Sequence, residues 1–293
     1  MKKKINLSCP VGIIDVGSNS VRLLITDGVF FEKTTITTRL GEGLNNSKYL
    51  KVDAIMRTAN AIKTLKEKAL KFGVNTIYVF ATAAVRESLN GKDFVSIVKD
   101  MTMLDVDIIS GDKEAELGIL GALNGEVGGI IDIGGASTEI AYFNGKEIVY
   151  KKSIPIGVVK LYSQFERNKE EITKFVKNIV KKFGQVDYKN FKAIGGTATS
   201  LACFDLGLKV YDSTLTDGHY ISTLKLEKLM YMLYSLSPQE ISDNYAIPPL
   251  RADTIAGGCT LLYYICKHLN LDGITVSEKD NLEGYFNLLK DEK

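Results

Sequence analysis

Apolar residues along this chain fall in blocks whose spacing switches between a period of two and a period near 3.6, the pattern of strands alternating with helices. The segment 11–26 is apolar on both sides of a Gly-Ser-Asn-Ser turn and predicts a strand, a glycine turn and a second strand, with a short strand over 33–38. Residues 52–72 place Ile55, Ala59, Ile62, Leu65 and Ala69 on one helical face, and Gly73 is a suitable residue just beyond the C-terminus. A strand at 76–81, a polar loop through Arg86, a helix at 92–103, a strand at 106–109 and a helix at 112–124 complete an α/β half, with Glu114 opening the last helix. The second half predicts strands at 129–134, 138–143 and 146–152, the last two joined by an Asn144-Gly145 turn of the hairpin type. Helices are expected at 157–166, 169–183, 197–206, 223–235 and 250–269, short strands at 191–194 and 273–276, and loop with short helix at 207–221 and between Pro238 and Pro249. A final helix over 279–290 is expected to pack back across the junction of the halves.

The halves share a repeat. Gly-Ile-Ile-Asp-Val-Gly-Ser-Asn-Ser at 12–20 returns as Gly-Ile-Ile-Asp-Ile-Gly-Gly-Ala-Ser at 129–137, so that Gly12, Ile13, Ile14, Asp15, Gly17 and Ser20 meet identical residues at an offset of 117. Two buried strands, each ending in an Asp and a glycine turn, present backbone N–H groups and a carboxylate together, a combination suited to phosphate with a metal.

Composition narrows the picture without redirecting it. The 293 residues are 45% hydrophobic and 25% charged, as in an ordinary globular chain, and 37 Lys plus Arg against 35 Asp plus Glu leave no global basic field of the kind nucleic acid demands. The clusters at Lys2 to Lys4, Lys151-Lys152 and Lys181-Lys182 read as solvated surface, with the lining of an anion groove as the alternative. Cys9, Cys203, Cys259 and Cys266 have neither paired spacing nor a nearby histidine, which argues against zinc and disulfides and for reduced thiols in a cytoplasmic protein. The apolar stretch after the N-terminal lysines is broken by Asp15, so a strand is expected there and no signal peptide, and no later segment has membrane-spanning length.

Several residue types fit chemistry on a bound phosphate, which needs an oriented water and positive charge or N–H donors where negative charge collects. Glu114, at a strand-to-helix junction, reads by position alone first as an ordinary first-turn Glu meeting the helix dipole, with a catalytic base as the alternative. Asp15, Asp132 and Glu139 form a candidate Mg²⁺ set, since that ion takes oxygen ligands and often only one or two carboxylates; for the two Asp residues the alternative is bracing of the glycine turn. Backbone N–H groups of Gly17, Ser18 and Asn19 and of Gly134, Gly135, Ala136 and Ser137 are candidate phosphate nests, with the side chains of Ser18, Asn19, Ser137 and Thr138 as further donors. Gly195, Gly196 and Thr197 precede a helix and can offer its N-terminus to phosphate, or simply allow tight packing. Arg22 and Arg86 are candidate holders of a terminal phosphate, against a surface ion-pair role, and Arg251 is a candidate for a more distant phosphate or a bridge between domains.

The motifs taken together resemble the exopolyphosphatase/guanosine pentaphosphate phosphatase (Ppx/GppA) family. The resemblance rests on Ile14 to Ile25, Ala81 to Ser88, Ile109 to Glu116, Asp132 to Glu139, Ile194 to Thr197, Arg251 to Asp253 and Leu282 to Gly284, in family order across nearly the whole chain. It implies the α/β actin-like ATPase fold, two ribonuclease H-like domains with phosphates bound in the cleft between them. The expected division is 1–124 for the first domain, joined by a C-terminal helix at 279–293, and 125–278 for the second. It also aligns the family's catalytic glutamate with Glu114 and its metal and catalytic carboxylates with Asp132 and Glu139, ahead of Asp15. Two departures stand out: Ala136 replaces the third glycine of the family's triplet, and the chain resembles the short form, without the helical region that carries a histidine-aspartate domain in longer relatives. The implied activity is a magnesium-dependent exopolyphosphatase acting on inorganic polyphosphate, with guanosine pentaphosphate as the alternative substrate. An actin-like ATP-binding protein and a catalytically silent sensor of polyphosphate or alarmone are readings from other classes. No nucleic-acid or membrane partner is expected, and a homodimer is compatible with this reading.

Overall fold

Every residue of β1 (Val11–Val16) is buried, which places this strand at the centre of a sheet covered on both faces. The computed structural model describes residues 10–291. Strands β2 (Ser20–Thr26) and β3 (Phe31–Thr37) follow antiparallel on one side of β1, while β4 (Thr76–Ala81) and β5 (Asp107–Ile108) add in parallel on the other, giving the order β3-β2-β1-β4-β5. The second sheet repeats this plan. Strand β6 (Gly128–Ile133) is flanked by antiparallel β7 (Thr138–Phe143) and β8 (Ile148–Ile154) on one side. On the other lie parallel β9 (Phe191–Ile194), the short edge strand β10 (Tyr220–Ser222) and β11 (Gly273–Ser277), in the order β10-β11-β9-β6-β7-β8. The matching plans are the two related halves that the internal repeat implies, and both are ribonuclease H-like sheets, as the family resemblance implies.

Alternate residues of the central strands feed different cores. Ile14 and Val16 pack toward helices Val52–Lys71 and Gly91–Thr102, whereas Val11 and Ile13 pack with Leu282 and Phe286 of the last helix, Asn281–Asp291. In the second sheet Ile131 and Ile133 join the large core, and Ile130 faces Ala115, Ile119 and Ala122 of helix Gly111–Ala122. The halves have therefore exchanged helices: Gly111–Ala122 lies on the second sheet and Asn281–Asp291 on the first. A boundary at residue 124 does not describe the packing of helix Gly111–Ala122, because its apolar face fits the second sheet and chain order carries no information about which sheet a helix covers.

The exchanged helices cross at backbone contact. A Cβ on Gly121 would lie 1.9 Å from the carbonyl oxygen of Asp280, and one on Gly284 would lie 1.8 Å from that of Leu117. Only glycine permits this approach, and it brings the N-terminal ends of both helices under the ends of β1 and β6.

Three expectations need correction. Arg86 sits on a short helix, Ala83–Glu87, where a loop was expected. The segment 207–221 holds a short helix, Ser213–Thr216, as expected, but also part of edge strand β10, which is too short to show a period. The helix expected over 250–269 is two pieces, Pro249–Ala252 and Ile255–His268, interrupted where the side chain of Asp253 is drawn to Arg39 of the first half. Cys203, Cys259 and Cys266 are free and buried, whereas Cys9 and Lys2 to Lys4 lie outside the described residues. Among the described residues no helix is long and apolar enough to cross a membrane.

The crossing predicts that Gly284→Ala lowers unfolding free energy by about 3 kcal/mol. Gly257→Ala, inside a helix where an added Cβ meets neighbours at no less than 3.8 Å, should shift it by no more than about 1 kcal/mol. Urea denaturation of both variants checks this; equal, small effects would show that the helix pair separates at little cost.

Candidate active site

Register decides what faces each repeated Asp. In the first hairpin Asp15 pairs across the ladder with Arg22, and in the second Asp132 pairs with Glu139. The same fold position thus holds an opposite charge in one copy and a like charge in the other.

Arg22 donates to Asp15 Oδ2 through Nε at 3.1 Å and through Nη2, while Nη1 bonds Asp280 at the start of the last helix. Arg22 was expected to hold phosphate; it is instead clamped between two carboxylates. Burial still holds the Asp15 carboxyl above its ordinary range against the pull of Arg22, and its Oδ1 is buried without a partner. For Asp280, burial acts upward but Arg22 and Lys33 outweigh it, and the carboxyl is held low.

The second hairpin has no such neutralisation. Asp132, 9% exposed, is pushed up to about 7 by burial, with repulsion from Asp280 and Asp15 opposing the help of Arg22. Its Oδ2 accepts from Asn281 Nδ2 at 3.3 Å. Glu139, 2% exposed, is raised well above the usual carboxylate range by burial and then by Glu114 and Asp132, although Ser153 Oγ donates to Oε1 at 2.6 Å. Glu114 lies in the first turn of helix Gly111–Ala122, whose N-cap Ser110 accepts from Lys113 N–H. It is pushed to about 8 by burial despite Arg86, whose Nη1 donates to Glu114 Oε2 at 2.7 Å and to the carbonyl of Ile109 at 2.6 Å.

Five buried carboxylates, Asp15, Glu114, Asp132, Glu139 and Asp280, meeting the two guanidinium groups of Arg22 and Arg86 form a donor set suited to a hard cation. Among the described residues no three acidic, His or Cys side chains stand together as a ready-made metal cage, so Asp15, Asp132 and Glu139 are not gathered into one ligand trio; Asp15 is turned to Arg22. The opposed Asp132 and Glu139, with the unpartnered Asp15 Oδ1 nearby, fit an ion held by one or two carboxylates and otherwise by water and phosphate oxygens.

The two glycine turns are built alike. Gly17 N–H donates to Ser20 O and Gly134 N–H to Ser137 O, both at 3.0 Å. Those two N–H groups are therefore committed within the turns, while those of Ser18, Asn19, Gly135 and Ala136 take no part in these bonds. The turns face each other, since a Cβ on Gly135 would stand 2.8 Å from Ser18 Cβ and 3.0 Å from Asn19 N. Ala136 is buried and absent from the residues with positive φ, so its methyl group imposes no left-handed strain. Gly195 does need its glycine, with φ +77° and a would-be Cβ 2.8 Å from Asp132 Oδ1. Thr138 and Thr197 direct their hydroxyl protons to the carbonyls of Ile156 and Ile133, at 2.6 and 2.8 Å, and so serve the backbone where side-chain donation to phosphate was one expectation.

Arg86 orients Glu114, and of the two arginines that line the cleft among the described residues, Arg22 is paired with carboxylates while Arg251 is not. It packs on Gly196, where a Cβ would meet its Nη2 at 2.8 Å, and donates to Ser200 Oγ at 3.2 Å. Burial, followed by repulsion from Arg22, makes its positive charge harder to hold. Asp280 and Asn281 escaped the sequence reading; the available signal was their position directly before the Leu282-Glu283-Gly284 motif. The cleft is lined by Asp15, Glu114, Asp132, Asn281, Arg251 and both glycine turns. Beyond Arg251 it continues into a wider groove bordered by Phe31, Tyr211 and Lys33.

Comparison with known proteins agrees with this geometry. The chain is 32% identical to a bifunctional 3-dehydroquinate synthase/phosphatase of Fusobacterium nucleatum over 92% of its own length, and spans 45% of that protein. It is 26% identical to exopolyphosphatase 2 of Mycobacterium tuberculosis, covering 94% of this chain and 96% of the relative. It is 24% identical to a guanosine-5′-triphosphate,3′-diphosphate pyrophosphatase of Photobacterium profundum, covering 90% of this chain and 56% of the relative. The crystal structure of an Aquifex aeolicus Ppx/GppA family member superimposes with a TM-score of 0.77 at 25% identity, over 97% of this chain and 99% of the other. The model of the Ppx/GppA phosphatase family matches residues 25–289, and the chain belongs to that family.

Proposed function

We propose that the chain is an exopolyphosphatase that hydrolyses the terminal phosphoanhydride of inorganic polyphosphate with Mg²⁺. The observation that carries this reading is the pairing of two facing glycine turns, which offer N–H donors, with a wall of buried carboxylates that includes Glu114. Glu114 is the group that orients and deprotonates the attacking water, and Arg86 holds it in place. As the new P–O bond forms, the bond to the penultimate phosphate breaks, orthophosphate leaves, and the shortened chain keeps the bridging oxygen. Negative charge that collects on that chain meets Arg251 and the N–H groups at the start of helix Gly195–Leu206. Asp132 and Glu139 would hold the metal, which when bound supplies positive charge against the phosphate oxygens.

Guanosine pentaphosphate is a second reading, favoured by the groove beyond Arg251. Its aromatic borders, Phe31 and Tyr211, are each about half exposed, at 48% and 49%, and the groove has room for a nucleoside. Orthophosphate release from tripolyphosphate, long polyphosphate, guanosine pentaphosphate and ATP, each with and without Mg²⁺, tests both; no Mg²⁺-dependent release from any of them overturns the proposal.

Glu114→Gln should lower kcat about 10²- to 10⁴-fold with little loss of polyphosphate affinity. A Glu114 that serves only its helix end would give a lower melting temperature and turnover within a few-fold of the parent. Asp132→Asn and Glu139→Gln should each raise the Mg²⁺ concentration needed for half-maximal activity, and unchanged metal titrations in both would remove these residues from the metal site.

The raised carboxyls also predict a pH effect on metal-free protein. Asp132 and Glu114 titrate at about 7 and about 8 in the folded chain against 3.8 and 4.5 for the free groups, so the folded state keeps protons that the unfolded state has released. Stability from these groups is complete at low pH and declines as pH rises toward 8. The melting temperature of metal-free wild type should therefore fall more steeply from pH 5 to pH 8 than that of Asp132→Asn, as calorimetry with a chelator would show.

A further inference from the structure

Arg39 belongs to none of the turns or carboxylates described above, yet it touches both halves of the cleft. It follows β3 with φ +49°, a left-handed conformation for a non-glycine residue. Its N–H donates to Asn19 O at 2.8 Å; Thr38 N–H donates to the same oxygen at 2.9 Å, and Gly41 N–H to Ser18 O at 2.9 Å. The segment 38–41 thus braces the carbonyl side of the first glycine turn and leaves the opposite side to the cleft.

The side chain of Arg39 crosses to the second half. Its Nε and Nη2 donate to Leu250 O at 3.2 and 2.7 Å, Nη2 pairs with Asp253 Oδ2 at 2.5 Å, and the guanidinium stands 5.7 Å from the centre of the Tyr162 ring. Leu250 and Asp253 are the residues on either side of the Arg251-Ala252 pair. They lie at helix Pro249–Ala252, a four-residue turn too short to hold its own shape. Arg251 has no carboxylate partner, while Asp253 stands two residues away. With Arg39 in place, Asp253 is neutralised and the turn is pinned at both ends. Without it, the Asp253 carboxylate becomes a local competitor for the Arg251 guanidinium, and the turn loses its tie to the first half, keeping only the hold of Arg167 Nη1 on the Ala252 carbonyl at 3.3 Å from within the second half.

We propose that Arg39 is a positioning residue that couples the first glycine turn to Arg251, so that the phosphate end of the cleft is complete only when the two halves are held together. This rests on the proposed reading of Arg251 as a phosphate contact.

The test is a double-mutant cycle on the full chain, reading inorganic tripolyphosphate binding by calorimetry in Mg²⁺, together with kcat, KM and melting temperature. Arg251→Met should weaken tripolyphosphate binding about 10- to 100-fold. Arg39→Met should weaken it about 10-fold, raise KM and leave kcat within about 3-fold. In the Arg251→Met background the same Arg39 substitution should change binding less than about twofold. Adding Asp253→Asn to Arg39→Met should recover part of the loss, because it removes the competing charge. Should the methionine variant not fold, Arg39→Lys keeps the charge and loses the fork, and it should show the same coupling at smaller amplitude. An undiminished effect of Arg39 substitution in the Arg251→Met background, or no effect in either, overturns the positioning role. An Arg251→Met variant that binds tripolyphosphate like the parent overturns the phosphate reading instead.

Discussion

Asp132 and Glu139 are buried opposite each other on adjacent strands with no basic side chain between them. Two like charges in a low-dielectric site are unfavourable unless a proton or a cation intervenes, and the surrounding architecture can be understood from that constraint. Asn281 donates to one carboxylate and Ser153 to the other, yet neither carries charge. Burial and repulsion keep both carboxyls protonated further toward neutral pH than free groups would be. A site of this kind is stabilised by what binds to it, which is the property a metal-assisted phosphoryl-transfer cleft requires.

The repeat makes the asymmetry instructive. Both hairpins begin with the same Gly-Ile-Ile-Asp strand and close with the same turn bond, at Gly17 to Ser20 and Gly134 to Ser137. Only the cross-strand partner differs, and with Arg22 in one copy and Glu139 in the other, one Asp becomes part of an ion pair and the other part of an acidic pair. Duplication supplied the backbone donors twice; divergence at one ladder position separated a structural carboxylate from one suited to holding a cation.

Helix exchange is the second organising feature. Because helix Gly111–Ala122 covers the second sheet and helix Asn281–Asp291 covers the first, the start of each helix arrives at the ends of the two central strands. Glu114 comes with one helix, Asp280 and Asn281 with the other, and the backbone contact at Gly121 and Gly284 fixes their relative height. The resulting cleft draws on both halves throughout, with Arg39 and Arg251 from opposite sides meeting through the turn at Leu250 to Asp253.

What the sequence by itself determined is local and repetitive: the strand periods, most helix spans, the two Asp-glycine turns and the family motifs that single out Glu114, Asp132 and Glu139 as candidates. Those features depend on backbone sterics and on apolar periodicity, which act over a few residues. Arg22, Arg86 and Arg251 were legible as candidate phosphate contacts but not in their final pairing, because a guanidinium takes whichever carboxylate the fold brings to it. Arg22 met Asp15 across a ladder and Asp280 from a segment 258 residues away, Arg86 met Glu114, and Arg251 met no carboxylate. The return of the last helix to the first half was expected from sequence, whereas tertiary structure alone decided that helix Gly111–Ala122 covers the second sheet, the break at Asp253 and the entry of Asn281 into the cleft. Each depends on side chains or backbones from distant parts of the chain approaching within a few ångströms, and electrostatics and steric exclusion at that range follow position in space.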